Sequence, residues 1–112
     1  MIHMLSRFDL KDGHAFDAFQ RDYAAFCKQM IERDLAVSTG KVGRRVLNTP
    51  MDTDLDDAPE YYAVMMFRDR EQLDLAYAYI ADGSASEMDL AAHKRVNDAV
   101  ENPVFTCWED NL

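Results

Sequence analysis

Between Phe16 and Met30 the apolar positions Phe16, Phe19, Tyr23, Phe26 and Met30 advance by three, four, three and four residues. That spacing lays one stripe along a helix, and the intervening Asp17, Arg21, Asp22, Lys28, Glu32 and Arg33 supply its wet side, so a helix is predicted between His14 and Leu35. Ahead of it the pattern changes to alternation. Ile2, Met4, Ser6 and Phe8 share one face of a strand over residues 2–8, and His3, Leu5 and Arg7 share the other. Lys11-Asp12-Gly13 turns the chain between the two elements.

After the helix, Val37–Leu47 reads as a strand of irregular composition, with Gly40, Gly43 and Arg44-Arg45 among its apolar residues. Residues 48–60 hold two prolines, five acids and no base, which predicts an exposed loop. Tyr61–Phe67 is an unbroken apolar run of seven, the signature of a strand covered on both faces. Asp69 with Gln72 forms a capping box that opens a helix carrying Leu73, Ala76, Tyr77 and Ile80. Asp82-Gly83-Ser84 breaks that helix, and Ser84 with Glu87, or Ser86 with Asp89, caps a further one running to about Val100. Pro103 follows, and Val104–Trp108 makes a last strand.

The order strand, helix, strand, strand, broken helix, strand predicts an α+β chain, a ferredoxin-like βαββαβ unit with a four-stranded antiparallel sheet. Residues 1–112 are expected to form a single domain. Helices in this topology cover one face of the sheet only, yet the strand at 61–67 is apolar on both. A lone copy would leave Tyr, Val and Met side chains in water over a larger patch than soluble monomers expose. Sheet against sheet in a homodimer resolves this.

Composition narrows the partners. Apolar residues are 48% of the 112, enough for a core, and 12 basic against 21 acidic residues leave a net charge of −9. Phosphate backbones and anionic lipid both reward positive surfaces, so neither nucleic acid nor membrane is an expected partner. Tyr61–Phe67 has the aromatics of an RNA-binding strand but neither its Gly nor its base. No stretch approaches the roughly 18 apolar residues of a membrane span, and Met1–Leu10 lacks a continuous signal-peptide core; a cytoplasmic location is expected. Cys27 and Cys107 stand 80 positions apart, outside any C-x-x-C pattern, and read as free thiols.

Hydrolase, NTPase and dinucleotide motifs are missing, and no cofactor is called for. Asp52-Thr53-Asp54-Leu55-Asp56-Asp57 opens like a calcium loop, but Asp57 stands where the turn needs Gly and Ala63 where the twelfth position needs Glu. It reads as a solvated acidic loop. His3, His14 and His93 have no metal-ligand spacing, and no metal site is expected. Among them His93 is the candidate for chemistry. Asp89 lies one helical turn before it and Asn97 one turn after, where a carboxylate could orient the ring and raise its basicity. Arg44-Arg45 is the concentrated positive charge outside the helices; on a strand the two point to opposite faces, so at most one enters a given cavity. Tyr61, Tyr62, Tyr77, Tyr79 and Trp108 are core or interface material whose polar tips could also line a ligand cavity.

Along nearly its whole length the chain resembles the dimeric α/β-barrel superfamily, in particular its small EthD-like and stress-responsive barrel proteins. The resemblance lies in Leu10-Lys11-Asp12-Gly13 after the first strand, where relatives show Lys-Pro-Gly; in Phe67-Arg68-Asp69-Arg70-Glu71-Gln72-Leu73, which closes the third strand and enters a helix; and in His93 ahead of Pro103-Val104. It implies two sheets closing around a shared core, with a cavity between each sheet and its helices. It also implies functions that range over cofactor-independent monooxygenases, isomerases, cyclases and haem-degrading enzymes, and a cavity position for a helix His near His93. Three functions are therefore kept. The first is an enzyme acting on a small apolar or enolisable compound, with His93 as general base or acid, Arg45 or Tyr62 holding an oxyanion, and Trp108 and Tyr77 walling the cavity, His3 being a further ligand-binding candidate. The second is a non-catalytic protein that binds a small ligand or simply dimerises. The third handles haem, although strand one offers Ser6 and Arg7 where the haem degraders carry Asn, and Trp108 lies on the last strand.

Overall fold

The computed structural model describes residues 1–81 and 90–110. Strand β1 (Ile2–Leu10) leads into helix α1 (Phe16–Glu32), then the short strands β2 (Ser38–Thr39) and β3 (Gly43–Arg44), strand β4 (Tyr61–Phe67), helices α2 (Arg70–Ala81) and α3 (Ala91–Ala99), and strand β5 (Val100–Glu109). The antiparallel sheet runs β2, β4, β1, β5, with β3 also paired to β4. This is the α+β ferredoxin-like arrangement expected from the order of elements. The caps proposed at Ser84 to Asp89 lie outside the described residues.

Alternation in β1 and β4 divides the sheet into two unlike faces. Ile2, Phe8, Ala63, Met65 and Phe67 are buried and meet Phe19, Phe26 and Met30 of α1, Leu73 and Ala76 of α2, and Ala92 and Val96 of α3. Each large apolar side chain so enclosed, Phe67 and Met65 among them, stabilises the fold by roughly 1.5–3 kcal/mol. The residues between them, Leu5, Tyr62, Val64 and Met66, point to the other face, which no helix among the described residues covers and where they are half-buried or exposed. Among the described residues, one largely apolar sheet face therefore stays open.

Two strand boundaries differ from the sequence expectation. Val37–Leu47 is not one strand: β2 and β3 bracket Gly40, Lys41 and Val42, and the register passes from Thr39 opposite Met65 to Gly43 opposite Tyr62. Four steps on the edge against three on β4 make a one-residue bulge. The last strand is longer than Val104–Trp108 and contains Pro103. An edge strand tolerates Pro at a bulge, and here the pairing shifts between Arg7 and Asp9, with Asn102 at a φ of 52°.

The entrance to α2 follows the capping logic with one variation. Asp69 Oδ1 accepts the Gln72 N–H at 2.9 Å, but Gln72 Oε1 accepts the N–H of Arg68, one residue earlier than a capping box requires, at 2.7 Å. Gln72 Nε2 also donates to the Asp34 carbonyl at 3.0 Å, so this buried amide ties the end of α1 to the start of α2. The acidic loop is tied down too. Arg7 Nη1 donates to Asp54 Oδ2 at 2.8 Å, and Arg45 donates to Asp52 Oδ2 at 2.9 Å and to the Leu55 carbonyl at 2.7 Å. Among the described residues no helix is long and apolar enough to cross a membrane.

Candidate functional site

A cavity of about 390 Å³ lies between the helix-covered face of the sheet and the helices. Its floor is Met4, Ser6, Phe8, Ala63, Met65 and Phe67, alternate residues of β1 and β4. One wall comes from His93, Val96, Asn97 and Val100, positions i, i+3, i+4 and i+7 of α3 and its end, which a helix brings to one side. Aromatic rings of α1 and Phe105 of β5 complete an apolar enclosure, and among the described residues no Asp, Glu, Lys or Arg lines it.

Its polar tips are few. The His93 ring packs against Phe26, centroids 5.0 Å apart and tilted by 52°, and burial pushes its pKa below the ordinary 6.5. The imidazole is thus neutral at pH 7. Asn97 Nδ2 lies 3.4 Å from His93 Nε2; an amide N–H donating there makes Nε2 the acceptor nitrogen and leaves the proton on Nδ1. Tyr77 Oη lies 3.5 Å from Met4 Sδ and 3.9 Å from Cys107 Sγ. Sulfur is a weak acceptor, so a ligand oxygen would displace it readily. Burial also raises the Tyr77 pKa, as does the hydrogen bond with Cys107, which keeps the phenol protonated and a donor. Burial likewise raises Tyr23 and Cys27, which hydrogen-bond each other on α1.

The residues singled out from sequence part into two groups. His93 and Tyr77 share the cavity. Arg45, Tyr62, His3 and Trp108 belong to the open face: Arg45 and Tyr62 line a separate trough of about 420 Å³ with Leu5 and Arg7, and His3 sits opposite Trp108 in the β1–β5 register. His3 Nε2 pairs with Asp110 at 3.1 Å, and Arg45 with Asp52. Arg44, as expected, points the other way, to Glu60 at 3.2 Å and over the Tyr61 ring. Asp89, the carboxylate proposed to orient His93, lies outside the described residues. Ser6, Tyr23 and Phe105 also line the cavity, though none was among the functional candidates. Ser6 did carry a signal, since it is the lone hydroxyl on the Ile2, Met4, Phe8 face, where an unpartnered polar group is costly.

No protein-family model and no curated protein sequence matches the chain. Solved structures do. The Arabidopsis thaliana protein At3g17210 superposes with a TM-score of 0.72 over 100% of this chain and 97% of its own, at 7% identity. A dimeric ferredoxin-like protein of unknown function from Jannaschia sp. CCS1 gives 0.58 over 97% and 98%, at 14% identity. The chain has the ferredoxin-like fold. An antibiotic biosynthesis monooxygenase superposes with a TM-score of 0.59 over 100% of both chains at 13% identity. At such identities the likeness is one of fold, and the chemistry resides in the cavity.

Proposed function

We propose that the chain is a homodimer joined through its open sheet faces, and that each protomer binds a small, neutral, largely apolar compound in the helix-side cavity and moves a proton on it through His93. The observation that carries this reading is the composition of the cavity: an apolar enclosure without a fixed charge among the described residues, holding one neutral imidazole, the Asn97 amide and the hydroxyls of Tyr77, Ser6 and Tyr23. Its size falls within the about 300–1,000 Å³ of small-molecule sites. An ionised ligand would have to be desolvated there without a counter-charge, which is costly, so the ligand enters neutral.

A base of lowered pKa is unprotonated and ready at neutral pH. Nε2 would exchange the weak contact with Asn97 for an acidic C–H or O–H of the ligand and take its proton. The negative charge left on a ligand oxygen would be met by the Tyr77 or Ser6 hydroxyl. This is the chemistry of an isomerase, cyclase or cofactor-independent monooxygenase, and the monooxygenase among the structural neighbours supports that range. Arg45 and Tyr62 do not enter this scheme, because they line the trough on the other face.

The test is a thermal-shift panel of neutral aromatic and enolisable compounds beside carboxylates of matched size. Neutral compounds should raise the melting temperature, since a ligand of the folded state stabilises it. His93→Gln should keep that binding and lower turnover of the hit by about 10²–10⁴-fold. Unchanged turnover in His93→Gln removes the base assignment. Binding without turnover in the parent protein supports a ligand-binding role, and stabilisation by the carboxylates alone defeats the reading altogether.

A further inference from the structure

Among the described residues, the polar side chains that line the helix-side cavity are already paired within the protein, with one exception. His93 meets Asn97, Tyr77 rests on Met4 and Cys107, and Tyr23 hydrogen-bonds Cys27. Ser6 makes no hydrogen bond through its side chain. It is half-buried, and among the described residues no side-chain oxygen or nitrogen is both sealed off and unpaired. The Ser6 Oγ is therefore accessible. Alternation along β1 turns Ser6 to the helix-covered face with Met4 and Phe8, so the space it opens into is the cavity.

Its place in the floor gives this hydroxyl a use. Ser6 lies opposite Ala63 on β4 and Phe105 on β5, while Met4 and Met65 form the next row and Phe8 bounds the other side. Same-face side chains recur roughly every 7 Å along a strand, so the two smallest residues of the floor, side by side, leave a notch that admits the edge of a ring. Tyr77 is placed differently. Its hydroxyl lies over Met4 and Cys107, one row along, and the side chain is 47% exposed, which puts it at the rim. A hydroxyl without a partner in apolar surroundings is unfavourable. A site that contains one accepts a ligand that pairs with it and rejects the same shape lacking the pairing group, because binding the latter strands the hydroxyl.

We infer that Ser6 is the specificity-determining residue of the cavity: its hydroxyl bonds the oxygen of a neutral phenol, alcohol or ketone, which lies against the sheet while the apolar body of the ligand fills the space above. This rests on the reading of the cavity as a small-molecule site, and adds which end of the ligand is buried and which group selects it.

The test uses β-naphthol and β-methylnaphthalene, which share a shape and differ only in carrying a hydroxyl or a methyl group. Their dissociation constants are measured on the parent protein, Ser6→Ala and Tyr77→Phe. The parent should bind the naphthol about tenfold more tightly than the methyl compound. Ser6→Ala should erase that preference, and Tyr77→Phe should keep it. Without ligand, Ser6→Ala should melt no lower than the parent, because the hydroxyl it removes has no protein partner to lose. A preference that survives Ser6→Ala, or a parent that binds both probes equally, overturns the inference while the cavity stands as a small-molecule site. A markedly lower melting temperature of ligand-free Ser6→Ala overturns it as well, by making the hydroxyl structural. A parent that binds neither probe removes the cavity reading and this inference together.

Discussion

At the scale of single residues, His93 is defined by what surrounds its ring. Phe26 on one side and the apolar wall of α3 take water away from it, and nothing charged on the described cavity surface compensates, so protonation is disfavoured in the native state. In the unfolded chain the same imidazole titrates near 6.5. Below that pH the unfolded state binds a proton that the native state refuses, and the linkage relation makes stability fall as pH falls. Above it the group contributes no pH dependence. Unfolding measured by denaturant between pH 8 and about pH 5 should show the parent protein losing stability relative to His93→Gln only below about pH 6.5. The lowered carboxyls of Asp98 and Asp110 titrate further down, below 3.8, and leave this window clear. A parent and variant that run parallel throughout would mean that the ring is solvated.

The sequence made His93 legible because chemistry and helical spacing coincided there: Asn97 one turn on is the residue that meets it. Arg45, Tyr62 and Trp108 had suitable chemistry as well, but their face could not be read from type alone. One step along a strand reverses a side chain, and only the registers of β4 and β5 against β1 and of β3 against β4 show that they lie across the sheet from His93.

At the scale of elements, local pattern served where periodicity was strong and failed where the edge of the sheet deviated. The stripe of α1 and the seven-residue run of β4 were visible without coordinates. The bulge between β2 and β3 was not, because an added residue leaves no periodic trace in so short a segment. Gly43 shows why the edge needs its composition. A Cβ at that position would collide with the Tyr62 ring, so Gly is what lets Tyr62 lie across the edge strand. Gly43→Ala should cost about 1 kcal/mol, and in a Tyr62→Ala background the cost should vanish, the mark of two contacting residues in a double-mutant cycle. Equal costs in both backgrounds would place the effect in the backbone. Gln72 joins two elements in the same way. Gln72→Leu leaves the Arg68 N–H and the Asp34 carbonyl without the amide they share, and should cost roughly 2–4 kcal/mol in denaturant unfolding.

At the scale of the whole molecule, charge and hydrophobicity oppose each other. Each copy carries −9, so two copies repel, while each also presents an apolar sheet face that water disfavours. The first effect depends on salt and the second depends on it weakly. At about 0.01 M ionic strength the screening length is about 30 Å, and at about 0.15 M it is about 8 Å. Raising salt across that range should therefore tighten the dimer, and sedimentation equilibrium can measure the shift. An interface held by ion pairs between the copies would weaken instead. Val64 separates the two contributions. It lies on β4 between buried Ala63 and Met65 but points to the open face, so it stands outside the helix-side core and probes the proposed dimer face. Val64→Arg reduces the net negative charge, which would favour association if repulsion were decisive. It also places a guanidinium in the middle of an apolar contact, where desolvation without a partner costs several kcal/mol. The second effect is the larger, and the variant should run as a folded monomer with an unchanged far-UV spectrum at concentrations where the parent is dimeric. A Val64→Arg dimer as tight as the parent would show that the open face is not where two copies meet.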